Sequence, residues 1–206
     1  RSWMSWQIPI LTEGNYSYSR ITFINKKKII DYIKSGGIPI ITGFQGINNL
    51  NRLSTLGRGG SDASAIMCAK FFNATKCIIY TDVEGVYTTD PKNLKKAKKI
   101  KVISYEEMLE MSSLGAKVMQ PNSIQDARLN RINIDVRSSF INQKGTLITK
   151  KKNVIRNRII TGITSTKNDA KLTLLGIKDR PGVAASIFKP LYKNSINVDM
   201  VVQNIS

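Results

Sequence analysis

A chain of 206 residues with 41% hydrophobic side chains can bury the core of one domain and part of another, which argues against wholesale disorder. The net charge of +18 would suit nucleic acid or an anionic surface. However, the densest basic clusters (Lys26 to Lys28, Lys95 to Lys101, Lys150 to Lys152) fall between periodic segments with no interleaved aromatics, so the charge reads as solvated surface. Histidine is absent and Cys68 and Cys77 are the only cysteines, which leaves a poor zinc site and no Ser-His or Cys-His nucleophile.

No run approaches the ~20 apolar residues of a membrane span. The opening Arg1-Ser-Trp-Met-Ser-Trp-Gln7 has neither the basic head nor the apolar core of a signal peptide, and reads as the interior of a longer chain. In chain order, Lys28 to Lys34 suits a short helix ended by Gly36-Gly37. Ile38 to Thr42 follows as a β-branched strand, and Gly43-Phe-Gln-Gly46 turns out of it. Ser61 to Phe72 is helical, with Ala65, Ile66 and Ala69 on one face, and Lys76 to Thr81 is a second buried-type strand. Cys68 and Cys77 then read as small buried apolar groups in a reducing compartment.

Ser104 and Glu107 form a capping box that opens a helix through Met111. A further helix fits Ser113 to Gln120, and Pro121 opens the next, to about Leu129. Ile132 to Arg137 and Gly145 to Thr149 read as closing strands. Such alternation implies α/β layers with a largely parallel sheet. The charged stretch 151–158 reads as a linker between residues 1–150 and a second pattern over 159–206. That pattern comprises a strand at Lys171 to Ile177, the turn Asp179-Arg-Pro-Gly182, a helix from Val183 to Tyr192 and a strand at Ile196 to Val202.

Ligands of open α/β sheets collect at the carboxyl ends of strands, and three turns of this chain sit at such places. The first is Gly43 to Gly46. The second is Thr55-Leu-Gly-Arg-Gly-Gly-Ser-Asp62, where Arg58 stands between glycines just before a helix start. Ser61 and Asp62 suit helix capping. Capping leaves Arg58 unexplained, and a guanidinium there suits either bidentate carboxylate recognition or an RGG-type contact with RNA. The third is Thr81-Asp-Val-Glu-Gly-Val-Tyr-Thr-Thr-Asp-Pro91, built of ordinary turn residues. The P-loop pattern is absent.

Together and in order, GFQG, TLGRGGSD, YTDVEGVYTTDPK, SYEEMLEMSSLGAKVMQP and VRSSF…GTLIT resemble the aspartate kinases of the amino-acid kinase family. LTLLGIKDRPGVAASIF…INVDMVVQNIS resembles their ACT regulatory domain. The resemblance implies the later part of an αβα three-layer kinase domain followed by the first part of a ferredoxin-like ACT domain. It implies a cytoplasmic enzyme that transfers the γ-phosphate of ATP, carried with Mg²⁺, to the side-chain carboxylate of L-aspartate, a step toward lysine, threonine and methionine. Phe44, Arg58, Gly59, Gly60 and Ser61 fall on the family's aspartate site, with Arg58 on the α-carboxylate. Asp62 falls on the acid that orients a phosphate-contacting lysine. Thr81, Asp82, Tyr87, Lys92 and Lys117 fall on nucleotide contacts, Lys92 standing where many relatives have arginine and so lacking its planar fork. No protein-built metal site is expected, since magnesium is held mainly by phosphates and water.

In the ACT-like part, Asp179, Gly182 and Ala184 match the loop and helix start that bind an amino-acid effector, and Asn197, Asp199 and Gln203 match the facing strand. Lysine or threonine is the implied effector, and pairing of ACT domains implies a homo-oligomer, with no nucleic-acid or membrane partner. The family's Lys-Phe-Gly-Gly segment is absent from these residues, so the resemblance implies a fragment truncated at both ends and inactive alone. Three rival readings are a sibling kinase for another carboxylate, carbamate or UMP, a stand-alone ACT regulatory subunit, and a basic RNA-binding module. The ACT-like continuation opposes the first and the large kinase-like part opposes the second. The third predicts salt-sensitive RNA binding.

Overall fold

The computed structural model describes residues 1–150, 160–166, 170, 172–177, 180–194, 196, 198 and 201–202. The expected linker at 151–158, and Asp179, Asn197, Asp199 and Gln203, lie outside the described residues. Two compact units divide at Ser165 and Thr166, later in the chain than the expected start of the second domain at residue 159.

The first unit begins with β1 (Ser2–Trp3), β2 (Ile10–Glu13) and β3 (Arg20–Ile24), then α1 (Lys27–Lys34), β4 (Ile40–Ile41), β5 (Gln45–Ile47) and β6 (Leu53–Thr55). α2 (Gly60–Phe71) leads to β7 (Cys77–Thr81), followed by β8 (Val102–Ser104), α3 (Tyr105–Ser113), α4 (Pro121–Asn130), β9 (Ile134–Ser138) and β10 (Thr146–Thr149). One four-stranded sheet has the order β3-β2-β5-β6, another β7-β9-β10-β8, and β1 pairs with β4 alone. The expected largely parallel sheet is instead mixed. β7 and β9 run parallel, as do β8 and β10, but β9 and β10 are antiparallel, as are β2 with β3 and β5 with β6. The antiparallel pairs arise where the connection is a short loop rather than a crossover helix.

Two apolar cores follow from the patterning. Ile79 of β7, Ile134 and Val136 of β9, and Ile148 of β10 point from one face of their sheet onto Ile66 of α2, Met108 of α3 and Ile124 of α4. The second core joins Ile10, Ile21, Ile24 and Ile29 to Met67 of α2. Adjacent residues of α2, Ile66 and Met67, therefore serve different cores. The α2 helix is apolar on more than one side, as a helix lying between two layers must be. Each fully buried aliphatic side chain contributes about 1.5–3 kcal/mol of transfer free energy. Cys77 is buried and Cys68 half-buried, and burial pushes both thiols up to about 11, so they stay neutral as expected.

Several expected elements change. The helix expected over Ser113 to Gln120 is not formed. α3 stops at Ser113, and Gly115 with φ +115° turns the chain, its helix-ending role secured by Ala116 N–H donating to Met111 O at 2.8 Å. The strand expected over Ile38 to Thr42 shrinks to Ile40–Ile41, because β1 offers only two partner residues. Of the turn expected at Gly43 to Gly46, Gln45 and Gly46 join β5 by pairing with Thr55 and Ser54 of β6, and Gly46 lies against Thr12 too closely for any side chain. Strands β2, β3, β6 and β8 arise where no strand was expected.

In the second unit, the expected helix is present as α5 (Val183–Lys193), started by Gly182 at φ +88°. The strand expected over Lys171 to Ile177 is not seen in its described residues, 172–177, which are exposed and pair with no strand among the described residues. The strand expected over Ile196 to Val202 falls largely outside the described residues.

Candidate functional site

α2 and α4 each run into a strand of the same sheet, β7 and β9, through short connections. β7 and β9 are parallel, and a helix joined to the next strand by so short a connection must turn back beside it. The amino ends of both helices therefore return to the carboxyl edge of the two strands. The contacts agree. Ser123 Oγ in the first turn of α4 donates to Gly59 O at 3.3 Å, and a Cβ at Gly59 would lie 2.5 Å from the Gln120 side chain. Glycine is needed there twice over, since its φ of +75° is left-handed.

The start of α2 is unusual in how little of it is capped. Gly59 has no side chain to offer, and Gly60 N–H turns back to Gly57 O at 3.0 Å. The N–H groups of Ser61 and Asp62 find no acceptor among the described residues, which leaves two donors aimed along the helix axis toward solvent. Phe44 forms a wall. Its backbone is left-handed at φ +69°, its N–H donates to Ser64 Oγ at 2.9 Å, and a Cβ on Gly60 would lie 2.7 Å from its ring. Ser64 Oγ in turn donates to Gly60 O at 2.8 Å. Arg58 and Ser61 are exposed beside this wall, so Phe44, Arg58, Gly59, Gly60 and Ser61 come together. Asp62 is half-buried in the same turn, and desolvation raises its carboxyl pKa above the ordinary value.

A second group begins where β7 ends. Thr81 O accepts Ser139 N–H at 2.8 Å, and Thr81 Oγ1 donates to the exposed Asp82 carboxylate at 3.1 Å. The chain then enters a two-stranded ribbon over residues 86–100. Ile100 N–H donates to Val86 O at 2.8 Å, Tyr87 bridges Lys99, and Thr88 N–H donates to Lys98 O at 2.9 Å. Buried Thr146 anchors its base, its hydroxyl accepting from Val86 N–H at 2.8 Å and donating to Ile100 O at 2.6 Å. Lys92 stands at the tip, where its N–H donates to Asp90 Oδ1 at 2.8 Å.

Lys117 is exposed on the turn just before Gln120, the residue that touches Gly59, and so belongs to the same edge. Among the described residues Arg58, Lys92 and Lys117 have no carboxylate partner. They share this with most of the described cations. What distinguishes Arg58 is its position beside two free helix amides. Among the described residues no group of three or more acidic or cysteine side chains could hold a metal ion. In the second unit Gly182 and Ala184 are exposed at the start of α5.

Sequence reading missed two contributors. A Cβ at Gly57 would lie 2.6 Å from the Tyr18 ring, so Tyr18, carried by the β2–β3 hairpin, backs the loop before Arg58. Gln120 is the other. Neither has a local signal, because each meets its glycine only through the fold.

The profile described as the amino acid kinase family matches residues 7–138, and one described as an ACT domain matches residues 172–206. The chain is 42% identical over 201 residues to an aspartate kinase of Pseudomonas putida, covering 97% of this chain and 49% of that one. It aligns with E. coli aspartokinase III in complex with aspartate and ADP (R-state) at a TM-score of 0.74 and 27% identity, covering 99% of this chain and 46% of that one. The form of that enzyme in complex with lysine and aspartate (T-state) aligns at 0.73 with 27% identity, covering 98% and 46%. The chain thus spans about half the length of the curated relatives it matches.

Proposed function

The chain belongs to the amino acid kinase family, and from that premise we propose that its protein is an aspartate kinase converting ATP and L-aspartate to ADP and 4-phospho-L-aspartate. The observation that carries this is the start of α2. There an exposed Arg58 and the amides of Ser61 and Asp62, without partners among the described residues, stand together at the carboxyl edge of β7 and β9, with the Phe44 ring against Gly60. A small dicarboxylate suits that arrangement, because it offers one carboxylate to a guanidinium and another to a helix end.

In the proposed reaction a side-chain carboxylate oxygen of aspartate attacks the γ-phosphorus, its bond to the bridging oxygen breaks, and ADP departs. Little covalent help is required, so alignment and charge are what the protein must supply. Arg58 holds the α-carboxylate while Phe44, Gly59, Gly60 and Ser61 fix its register. Asp62 orients a phosphate-contacting lysine. Thr81, Asp82 and Tyr87 with Lys92 and Lys117 receive the nucleotide. Magnesium would arrive with the nucleotide phosphates and neutralise their charge, since the described acidic residues form no cluster for it. The ACT part, through Asp179, Gly182, Ala184, Asn197, Asp199 and Gln203, receives lysine or threonine in a cytoplasmic homo-oligomer. The relative solved with lysine supports an amino-acid effector. Among the described residues no helix is long and apolar enough to cross a membrane.

The test is a hydroxylamine-trap assay on the full-length protein containing this chain, comparing aspartate with glutamate, with and without lysine and threonine. Aspartyl hydroxamate should form and should be suppressed by at least one effector. Arg58→Ala should lower kcat/KM for aspartate by about 10²–10³-fold, the cost of removing one side of a charge-assisted pair. A folded, ATP-binding protein that yields no product from aspartate would sink the substrate assignment and bring the sibling kinases forward.

A further inference from the structure

Residues 161–163, near the end of the first unit, do more than lead out of it. Thr161 Oγ1 donates to Glu107 Oε1 at 2.9 Å. The other oxygen of that carboxylate, Oε2, accepts Ser104 N–H at 3.1 Å and Ser104 Oγ–H at 2.8 Å, closing the cap of α3. Two residues on, Ile163 N–H donates to Thr88 O at 2.7 Å. Thr88 is therefore held from two sides, because its own N–H and hydroxyl already engage Lys98 across the ribbon at 2.9 and 3.1 Å. Gly162 lies flat between these anchors. A Cβ there would stand 2.8 Å from Met111 Cε and 3.1 Å from Thr88 O.

We propose that Thr161, Gly162 and Ile163 form a strap that positions the 86–100 ribbon for ATP, Thr161 acting through Glu107 and Ile163 through Thr88. The inference rests on the reading above that Tyr87 and Lys92 meet the nucleotide. Thr146 anchors the ribbon only at its base, and its tip at Lys92 is exposed. The strap adds a second anchor next to Tyr87, fixed to the first turn of α3, a helix held in the core by Tyr105, Met108 and Met111. These are positioning residues, since none of the three is proposed to touch substrate. A loop held in its bound conformation avoids the ordering cost at binding, so the strap raises nucleotide affinity and leaves the aspartate half untouched.

The experiment uses the full-length protein and three variants, Thr161→Val, Thr161→Ser and Gly162→Ala. ATP affinity is measured by calorimetry, KM for aspartate and kcat by the hydroxamate assay, and amide exchange over residues 86–100 by mass spectrometry. Thr161→Val should weaken ATP binding about five-fold, the value of one hydrogen bond to a charged group spread over a loop. KM for aspartate should hold, exchange at Thr88 and Lys98 should quicken, and Thr161→Ser should restore both. Gly162→Ala should act in the same direction and more strongly. If it fails to fold, Thr161→Val still decides the matter. Unchanged ATP affinity in Thr161→Val, or equal losses for ATP and aspartate, would overturn the strap while leaving the kinase reading intact. Wild-type protein that binds no ATP would overturn the nucleotide assignment and the strap with it.

Discussion

The starts of α2 and α3 solve the same electrostatic problem in opposite ways. At α3, Ser104 accepts the Glu107 N–H and the Glu107 carboxylate returns to the Ser104 N–H, so the chain satisfies its own donors and leaves nothing for a ligand. At α2, Gly59 supplies no cap, the N–H groups of Ser61 and Asp62 stay open, and Arg58 stands alongside. A helix that caps itself has no backbone donor left at its amino end for a ligand. One that opens on glycine gives up roughly a few tenths of a kcal/mol of stability and keeps an anion site in exchange. The half-buried Asp62, with its carboxyl pKa raised by desolvation, adds a further cost at the same end.

Substitutions at the two ends should therefore separate activity from stability. The largest effect is expected at Gly59→Ala. The left-handed φ alone costs about 1–2 kcal/mol, and the collision with Gln120 moves the α2 end against α4. Melting temperature and aspartate turnover should fall together, and retention of full kcat/KM would break the comparison. Ser104→Ala should cost about 1 kcal/mol, a drop of about 2–4 °C in Tm for a domain of this size, with kcat/KM for aspartate unchanged in the folded protein. A loss of aspartate affinity there would show that the α3 end also serves the aspartate site.

The smallest stability effect, with the opposite sign, is expected from Asp62→Asn. A carboxyl whose folded pKa is raised binds its proton more tightly when folded than when unfolded. Stability is thus lost as pH rises from the ordinary carboxyl value through the raised one. Asn should accordingly raise Tm slightly at neutral pH while activity collapses, and the gain should close as pH falls into the carboxyl range. Calorimetry between pH 4 and 8 on both proteins reads this directly. A lower Tm for Asn at pH 7 would mean that the charge is stabilised by the helix end more than it is penalised by burial.

Much of this contrast was legible before any fold was known. Ser104 and Glu107 have capping-box spacing, Pro121 opens α4 as expected, and glycines bracket Arg58 in a way that no cap explains. Those signals lie within a few residues of one another, as do the forces that produce them. The helix expected over Ser113 to Gln120 failed for a reason equally local but easily outweighed on paper, one glycine at φ +115° against a run of good helix formers. Strands β2, β3 and β6 were invisible because their pairing depends on partners elsewhere in the chain and on half-exposed faces with weak alternation.

By itself, the sequence determined the starts of α3 and α4, the apolar strands β7, β9 and β10 that carry the first core, and the glycines that bracket Arg58, since capping, backbone freedom and periodicity act over a single turn or strand. Only the tertiary structure decided that Tyr18 backs Gly57, that Gln120 abuts Gly59, and that Thr161 to Ile163 reach back to Glu107 and Thr88. Contacts of that kind are chosen by which faces can be buried together once the chain has closed on itself, and no local pattern encodes that choice.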